Sequence, residues 1–119
     1  MASIMLVDDA MFMRAALRRM VEEGGHTVVS EASNGKQAIE QYKTNEPQIV
    51  LMDITMPDMD GIEATIEILK INKEAKIIMV SAMGQMEQVV KAISSGAKDF
   101  IVKPMEKDKL LACINKCLN

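Results

Sequence analysis

The sequence predicts an α/β fold in which helices cover both faces of one open, doubly wound, parallel sheet. Short apolar runs alternate with amphipathic helical segments along the whole chain, and this alternation is typical of strands joined by helical crossovers. Most of the runs are apolar throughout, as in strands that are buried on both faces. The length of 119 residues suits one domain, so we expect residues 1–119 to form a single unit.

The first two strand–helix pairs are predicted in the N-terminal part of the chain. An apolar run over residues 3–7 is followed by a helical stripe that ends at Gly24-Gly25, where glycine favours a helix C-terminus. Residues 27–33 are predicted as a second strand, and their greater polarity indicates an edge position. A short helix is predicted over residues 36–43.

Three more pairs are predicted in the rest of the chain. The strands are predicted over residues 48–53, 76–81 and 98–102, and the helical stripes that follow them cover residues 61–69, 86–93 and 110–118. Asp60 and Glu63 have the spacing of a capping box at the start of the third helix. Five such pairs in this length predict a flavodoxin-like (βα)5 sheet with the strand order 2-1-3-4-5 and right-handed crossovers.

Three carboxylates from distant parts of the sequence are expected to meet in this topology. The first strand is followed by Asp8-Asp9, and the third strand ends at Asp53. Ligands of doubly wound sheets bind at the carboxyl ends of the strands, at the point where the strand order reverses. Ser81 and Lys103, at the ends of the fourth and fifth strands, belong to the same edge.

Such a cluster needs a compensating positive charge or a bound proton. Two unit charges 4 Å apart repel by roughly 4 kcal/mol at an effective dielectric constant of 20. An all-oxygen acidic site favours Mg²⁺, with Mn²⁺ and Ca²⁺ as alternatives. A divalent ion, the Lys103 ammonium, a hydroxyl and a carboxylate nucleophile together suit phosphoryl transfer. The simpler alternative is that Asp8 and Asp9 only cap the first helix and Asp53 only ends a strand.

Four motifs extend this interpretation to a family. They are VDDA at 7–10, MDITMPDMDG at 52–61, VSAMG at 80–84 and DFIVKP at 99–104, each at a strand end. With these motifs in this order, the chain resembles the receiver domain of two-component response regulators over essentially all of its length. Within that family it is most similar to the stand-alone chemotaxis regulators.

The resemblance implies a role for each residue at the acidic edge. Asp53 would accept a phosphoryl group from the phosphohistidine of a histidine kinase. Asp9, Asp53 and the backbone carbonyl of Thr55 would bind Mg²⁺ directly, and Asp8 would act largely through water. Lys103 would pair with the carboxylate and then with the phosphoryl oxygens.

The resemblance also implies a switch. Ser81 would move to hydrogen-bond the phosphoryl group, and Phe100 would follow it inward; many chemotaxis regulators have tyrosine at the position of Phe100. The peptide bond between Lys103 and Pro104 is expected to be cis. Hydrolysis of the acyl phosphate is tuned in this family by two residues. One lies two positions beyond the acceptor and the other two positions beyond the switch hydroxyl; here they are Thr55 and Met83. Because Met83 cannot orient a water by hydrogen bonding, we expect slow self-dephosphorylation.

The chain is expected to signal by binding, because it ends directly after the fifth helix. The resemblance implies a histidine kinase of CheA type as donor, a flagellar or archaellar motor switch or an adaptor as target, and a phosphatase as a further partner. Residues 1–90 have 8 basic and 14 acidic side chains, a net charge of −6, whereas residues 91–119 have 6 and 3, a net charge of +3. The basic part includes a group of lysines on the fourth helix, the fifth strand and the fifth helix, Lys91, Lys98, Lys107, Lys109 and Lys116. This surface either binds an acidic partner or is an ordinary solvated face.

Composition excludes several classes of protein. The net charge of −3 disfavours a nucleic-acid-binding domain. No apolar run is long enough to span a membrane, so we expect a cytoplasmic protein. Since nothing in the sequence marks an obligate interface, we expect a monomer. Cys113 and Cys117 are four residues apart, and the single histidine, His26, is distant in sequence. We therefore interpret the two cysteines as reduced thiols on the inner side of a helix and not as a metal or redox site.

Three other functions are alternatives to a phosphorylation-switched binding module. A single-domain phosphorelay intermediate would have the same site residues. A Mg²⁺-dependent aspartyl-phosphate hydrolase of haloacid-dehalogenase type would need a second acidic residue at the position of Thr55 and a cap domain. A flavodoxin would need a loop that cradles a phosphate where Asp8-Asp9 would repel it. We expect no catalysis beyond the chain's own phosphorylation and dephosphorylation.

Overall fold

The computed structural model describes residues 1–82 and 85–119, and these form five strands and five helices in strict alternation. The strands are β1 (Ser3–Val7), β2 (Thr27–Ala32), β3 (Ile49–Asp53), β4 (Ile77–Ser81) and β5 (Asp99–Val102). The helices are α1 (Met11–Glu23), α2 (Gly35–Asn45), α3 (Gly61–Ile71), α4 (Met86–Ser94) and α5 (Lys107–Leu118).

All strand pairs are parallel, and the strand order is β2-β1-β3-β4-β5. This order confirms the predicted doubly wound topology. The more polar strand, β2, lies at an edge as predicted. The register aligns Val7 with Met52 and Asp53 with Val80, so the ends of β1, β3 and β4 lie side by side.

The second strand and the second helix differ from their predicted bounds by one or two residues. β2 ends at Ala32, because the backbone N–H of Ser33 donates instead to the side chain of Gln37 at 2.9 Å. α2 starts at Gly35, after the Asn34 side chain, which accepts a hydrogen bond from the Gln37 backbone N–H at 2.9 Å. It extends to Asn45, and the left-handed backbone of Glu46 (φ 42°) ends it.

The core is divided by the sheet into two layers, because successive side chains of each buried strand point to opposite faces. One layer contains Met5, Val50 and Met79 and packs against α2, α3 and α4. The other layer contains Leu6 and packs against α1 and α5. Burial of both faces explains why the central strands are apolar throughout.

The helix ends agree in part with the sequence patterns. At the start of α3 the Asp60 side chain accepts a hydrogen bond from the backbone N–H of Glu63 at 2.9 Å, which is the first half of the expected capping box. Cys113 and Cys117 are free and half-buried on α5, and burial raises the pKa of the Cys113 thiol to about 12. Among the described helices, none has both the length and the apolar character that a membrane span requires.

Candidate functional site

Asp8, Asp9 and Asp53 lie together at the carboxyl edge of the sheet. Each offers a carboxylate oxygen within 4.8 Å of the others. Asp53 is the last residue of β3, and Asp8 directly follows the neighbouring strand β1. The strand order therefore brings these side chains together, as the sequence predicts.

The backbone around Asp8 fixes its side chain. Asp8 is only 1% exposed, and its backbone N–H donates to the carbonyl of Ala32 at 3.1 Å. Its Oδ1 atom accepts from the Ala10 N–H at 2.9 Å, and its carbonyl accepts from the Arg14 guanidinium at 2.6 Å. Asp9 is exposed. Ala10 is the N-cap residue of α1 and the helix has no side-chain cap, so the alternative of Asp8 and Asp9 as simple helix caps is wrong.

Lys103 links two of the carboxylates. Its Nζ atom lies 3.2 Å from Asp8 Oδ2 and 3.5 Å from Asp53 Oδ1. Its backbone N–H donates to the carbonyl of Ser81 at 2.7 Å, which ties the end of β5 to the end of β4. The Lys103–Pro104 peptide bond is cis, as expected.

Asp53 is in an environment that resists ionisation. Its side chain is buried, and this desolvation, together with the nearby charge of Asp8, raises the pKa of Asp53 to about 6. The positive charge of Lys103 lowers the pKa of Asp53, but by less than burial and Asp8 raise it. Three carboxylates facing one ammonium leave a negative excess, and hard oxygen donors of this kind are the ligands that Mg²⁺ prefers. The residues present therefore fit a magnesium ion.

Ser81 and Phe100 share one face of the sheet. Ser81 is fully buried, and its hydroxyl has no hydrogen-bond partner among the described residues. It pairs with Val102 in the β4–β5 register, and Phe100, two residues before Val102, points to the same face. Phe100 is half-buried and packs against the core layer beneath α4.

The remaining predicted site residues lie in the loops. Thr55 is exposed and follows Asp53 by two residues, which is compatible with the expected role of its carbonyl. Met83 lies outside the described residues, so the expectation for it stays a prediction. Pro104 is exposed at the start of the β5–α5 loop. A cleft of about 690 Å³ beside Tyr42 is lined by residues at the amino edge of the sheet and by none of these groups.

Sequence reasoning missed two polar contacts at this edge. Arg14 bonds to the carbonyl of Asp8, and the Gln85 side chain donates to the Thr55 hydroxyl at 2.7 Å. A polar residue on a predicted helix or in a loop has many possible partners, so no sequence pattern singled these out. Arg14 follows Asp9 by five residues in the sequence, and this short separation is the signal that could have pointed to its contact.

Comparison with known proteins gives a consistent result. The sequence profile of the response regulator receiver domain matches residues 4–115. The chain is 55% identical over 116 residues to chemotaxis protein CheY of Bacillus subtilis, covering 98% of this chain and 97% of that protein. It is 51% identical to CheY of Thermotoga maritima (95% and 94% covered) and 44% identical to CheY of Halobacterium salinarum (97% and 95% covered).

Solved structures agree with these sequence relationships. The CheX–CheY–BeF3–Mg complex of Borrelia burgdorferi matches with a TM-score of 0.93 and 34% identity, covering 98% of this chain and 89% of that one. The receiver domain of NtrX from Brucella abortus matches with a TM-score of 0.91 and 31% identity, with 97% of each chain covered. Together with the acidic edge described above, these matches lead to one conclusion: the chain belongs to the response regulator receiver domain family and is CheY-like within it.

Proposed function

We propose that this protein is a phosphorylation-activated switch that takes a phosphoryl group on Asp53 from a histidine kinase. The observation that supports this proposal most directly is the contact of Asp53 with Lys103, whose ammonium lies between the Asp53 carboxylate and the buried carboxylate of Asp8. A buried carboxylate beside a fixed positive charge is suited to accept a group that brings further negative charge.

The transfer is a substitution at phosphorus. One carboxylate oxygen of Asp53 attacks the phosphorus of the phosphohistidine, an O–P bond forms and the N–P bond breaks. The electron pair returns to the imidazole of the donor. Lys103, whose Nζ atom lies 3.5 Å from Oδ1 of Asp53, would pair with the charge on the phosphoryl oxygens. Because the pKa of Asp53 is about 6, the carboxylate is largely ionised and nucleophilic at neutral pH.

Magnesium is the cofactor that we propose for this step. Asp9 and Asp53 would hold it directly, together with the carbonyl of Thr55, and Asp8 would contribute largely through water. When bound, Mg²⁺ neutralises charge on the transferring phosphoryl group. Asp8 also orients Lys103, since the two side chains are 3.2 Å apart in a mostly buried setting.

The switch that we propose uses the hydroxyl of Ser81, which has no hydrogen-bond partner within the part of the chain that the structure describes. A buried hydroxyl without a partner is unfavourable, so a phosphoryl oxygen on the adjacent strand offers it a strong acceptor. Movement of Ser81 toward Asp53 would vacate space on the face that it shares with Phe100. The Phe100 ring would then move inward and alter the surface formed by α4, β5 and α5.

That surface is the proposed output face. The elements of this face carry exposed apolar side chains on α4 and β5 and lysines on α4 and α5; the apolar side chains are Met86, Val90, Ile93 and Val102. Exposed apolar side chains and lysines on the same elements suit an acidic amphipathic partner segment. From its CheY relatives we propose a CheA-type kinase as donor and a flagellar or archaellar motor switch or adaptor as target, and from the CheX–CheY complex a phosphatase as well.

Phosphotransfer tests this function directly. A CheA-type kinase labelled with radioactive phosphate should transfer its label to the wild-type chain and leave the Asp53→Asn variant unlabelled. A phosphorelay intermediate would pass the label on to a histidine-containing acceptor domain, whereas a chemotaxis switch would bind its target more tightly when phosphorylated. Transfer to Asp53→Asn at the wild-type rate would overturn the proposal.

The output face needs its own test with matched charge reversals. Lys91→Glu and Lys109→Glu lie on the proposed face, and Lys36→Glu and Lys70→Glu are exposed lysines elsewhere. Binding of the phosphorylated chain to its target should weaken several-fold in the first pair only. Equal weakening in both pairs would indicate a general charge effect and contradict the assignment.

A further inference from the structure

Gln85 bridges the two loops that border the acceptor carboxylate. Its Oε1 atom accepts a hydrogen bond from the Ala82 backbone N–H at 2.7 Å, and its Nε2 atom donates to the Thr55 hydroxyl at 2.7 Å. Ala82 directly follows the buried Ser81, and Thr55 lies two residues beyond Asp53. One carboxamide therefore connects the loop after β3 with the loop after β4.

These bonds differ from those of an ordinary helix cap. Gln85 occupies the N-cap position of α4, but its side chain makes no capping bond to that helix. Only its backbone carbonyl serves α4, by accepting from the Val89 N–H at 3.0 Å. Both polar atoms of the side chain bond to the loops at the site, so helix capping does not explain these contacts.

The bridge restrains the residue next to the switch hydroxyl. A displacement of the Ser81 backbone toward Asp53 would carry Ala82 with it, because the two residues are consecutive in the chain. Such a displacement would stretch or break the bond between the Ala82 N–H and Gln85. The two hydrogen bonds of Gln85 therefore stabilise the unphosphorylated arrangement relative to the one in which Ser81 bonds the phosphoryl group.

We propose that Gln85 is a positioning residue that stabilises the unphosphorylated arrangement by holding Ala82 to Thr55. This inference rests on the proposed function, since the competing arrangement is the one in which Ser81 bonds a phosphoryl group on Asp53. Gln85 does not touch the reacting atoms. It acts through its hydrogen bonds to Ala82 and Thr55. Part of the free energy of phosphoryl binding is needed to break these bonds and release the loop after β4.

The first test measures the bridge without any ligand. Gln85→Met keeps the length of the side chain and removes both hydrogen bonds, and Gln88→Met makes the same change on α4 at a position without these contacts. Amide hydrogen exchange at Ala82 in the unphosphorylated protein should be faster by about fivefold or more in Gln85→Met and unchanged in Gln88→Met. If the exchange rate at Ala82 is unchanged in Gln85→Met, the proposal that Gln85 restrains Ala82 is wrong.

The second test measures its effect on the switch, with beryllofluoride and Mg²⁺ as the phosphoryl mimic. Gln85→Met should bind beryllofluoride about fivefold more tightly than wild type, the factor that one net hydrogen bond supplies, and Gln88→Met should bind as wild type does. The effects of Gln85→Met and Thr55→Val should not add, because both remove the same contact. Faster exchange at Ala82 without tighter binding would overturn the switching role.

The two measurements separate this inference from the proposed function. If wild type and both methionine variants fail to bind beryllofluoride, the proposed function fails, and the switching role of Gln85 fails with it. If wild type binds and Gln85→Met binds equally well or more weakly, the proposed function stands and the inference about Gln85 is wrong.

Discussion

Gly61 packs directly against the main-chain carbonyl of Asp53, and a Cβ atom built on Gly61 would overlap that oxygen. The backbone N–H of Gly61 also donates to the carbonyl of Ile54 at 2.7 Å. The first residue of α3 thus presses on the backbone of the proposed phosphoryl acceptor. The absence of a side chain at this position lets the helix start directly beneath the site.

Substitution Gly61→Ala should destabilise the protein. The added methyl group must displace backbone, which cannot move aside as a flexible side chain can, and overpacking of this kind costs about 1–3 kcal/mol. Urea unfolding would measure the loss, with Lys70→Ala as the control, an exposed position on the same helix. A loss no greater than that of Lys70→Ala would contradict the close packing of Gly61 on Asp53.

Substitution Asp53→Asn should stabilise the protein at alkaline pH in the presence of a chelator. The folded-state pKa of Asp53 is raised from 3.8 to about 6, so the folded state favours the protonated carboxyl. This preference contributes fully to the free energy of unfolding when the pH is below 3.8, the pKa of Asp53 in the unfolded chain. The contribution is lost as the pH rises through about 6, the pKa in the folded state. At pH 8 the ionised carboxylate costs on the order of 3 kcal/mol, and asparagine removes that cost.

The pH dependence is the signature of this effect. Unfolding free energies of wild type and Asp53→Asn should converge near pH 4 and separate with increasing pH. Added Mg²⁺ should reduce the difference at pH 8, because the ion binds the carboxylates of wild type. A difference between the two proteins that does not vary with pH would contradict the assigned environment of Asp53.

Substitution Lys103→Met should destabilise the chelated protein at pH 8, because Asp8 and Asp53 would lose their shared cation. A hydrogen-bonded charge in a mostly buried setting contributes about 2 kcal/mol. Lys107→Met is the matched control: Lys107 pairs with Glu23 at 3.3 Å, but both side chains are about half exposed. Thermal or urea unfolding should show little change in this control. Equal effects of the two substitutions would indicate that Lys103 does not stabilise the acidic cluster.

Substitution Ser81→Ala should separate stability from switching. The hydroxyl has no partner among the described residues, so its removal should leave the unfolding free energy unchanged or raise it by about 1 kcal/mol. The same change removes a donor for the phosphoryl group, so beryllofluoride should bind roughly tenfold more weakly. A large loss of stability in Ser81→Ala would mean that the hydroxyl already has a partner in the resting protein.

Much of the fold could be predicted because the periodicity of burial is strong in this chain. The central strands are apolar on both faces, and this pattern placed each strand within about one residue of its observed bounds. Convergence of Asp8, Asp9 and Asp53 followed from strand order alone, since parallel strands end at a common edge. Local hydrogen bonds shifted the remaining boundaries, as the contact between Ser33 and Gln37 does at the end of β2.

The contacts that sequence could not predict depend on the path of the loops. Gln85 reaches Thr55 across 30 residues of sequence, and Arg14 bonds to a backbone carbonyl. Neither requires a particular residue type in a recognisable pattern. The sequence predicts repulsion between Asp53 and the neighbouring carboxylates. It does not predict whether the pKa of Asp53 rises or falls, because that depends on burial and on how closely Lys103 approaches.

Intact-mass spectrometry after incubation with acetyl phosphate, with and without Mg²⁺, tests whether Asp53 is the phosphoryl acceptor. We predict one phosphoryl adduct on the wild-type chain that depends on Mg²⁺, is released by hydroxylamine as an acyl phosphate should be, and is absent from Asp53→Asn. An adduct of equal yield on Asp53→Asn, or no adduct on a wild-type chain that binds Mg²⁺, would contradict the assignment of Asp53 as the phosphoryl acceptor.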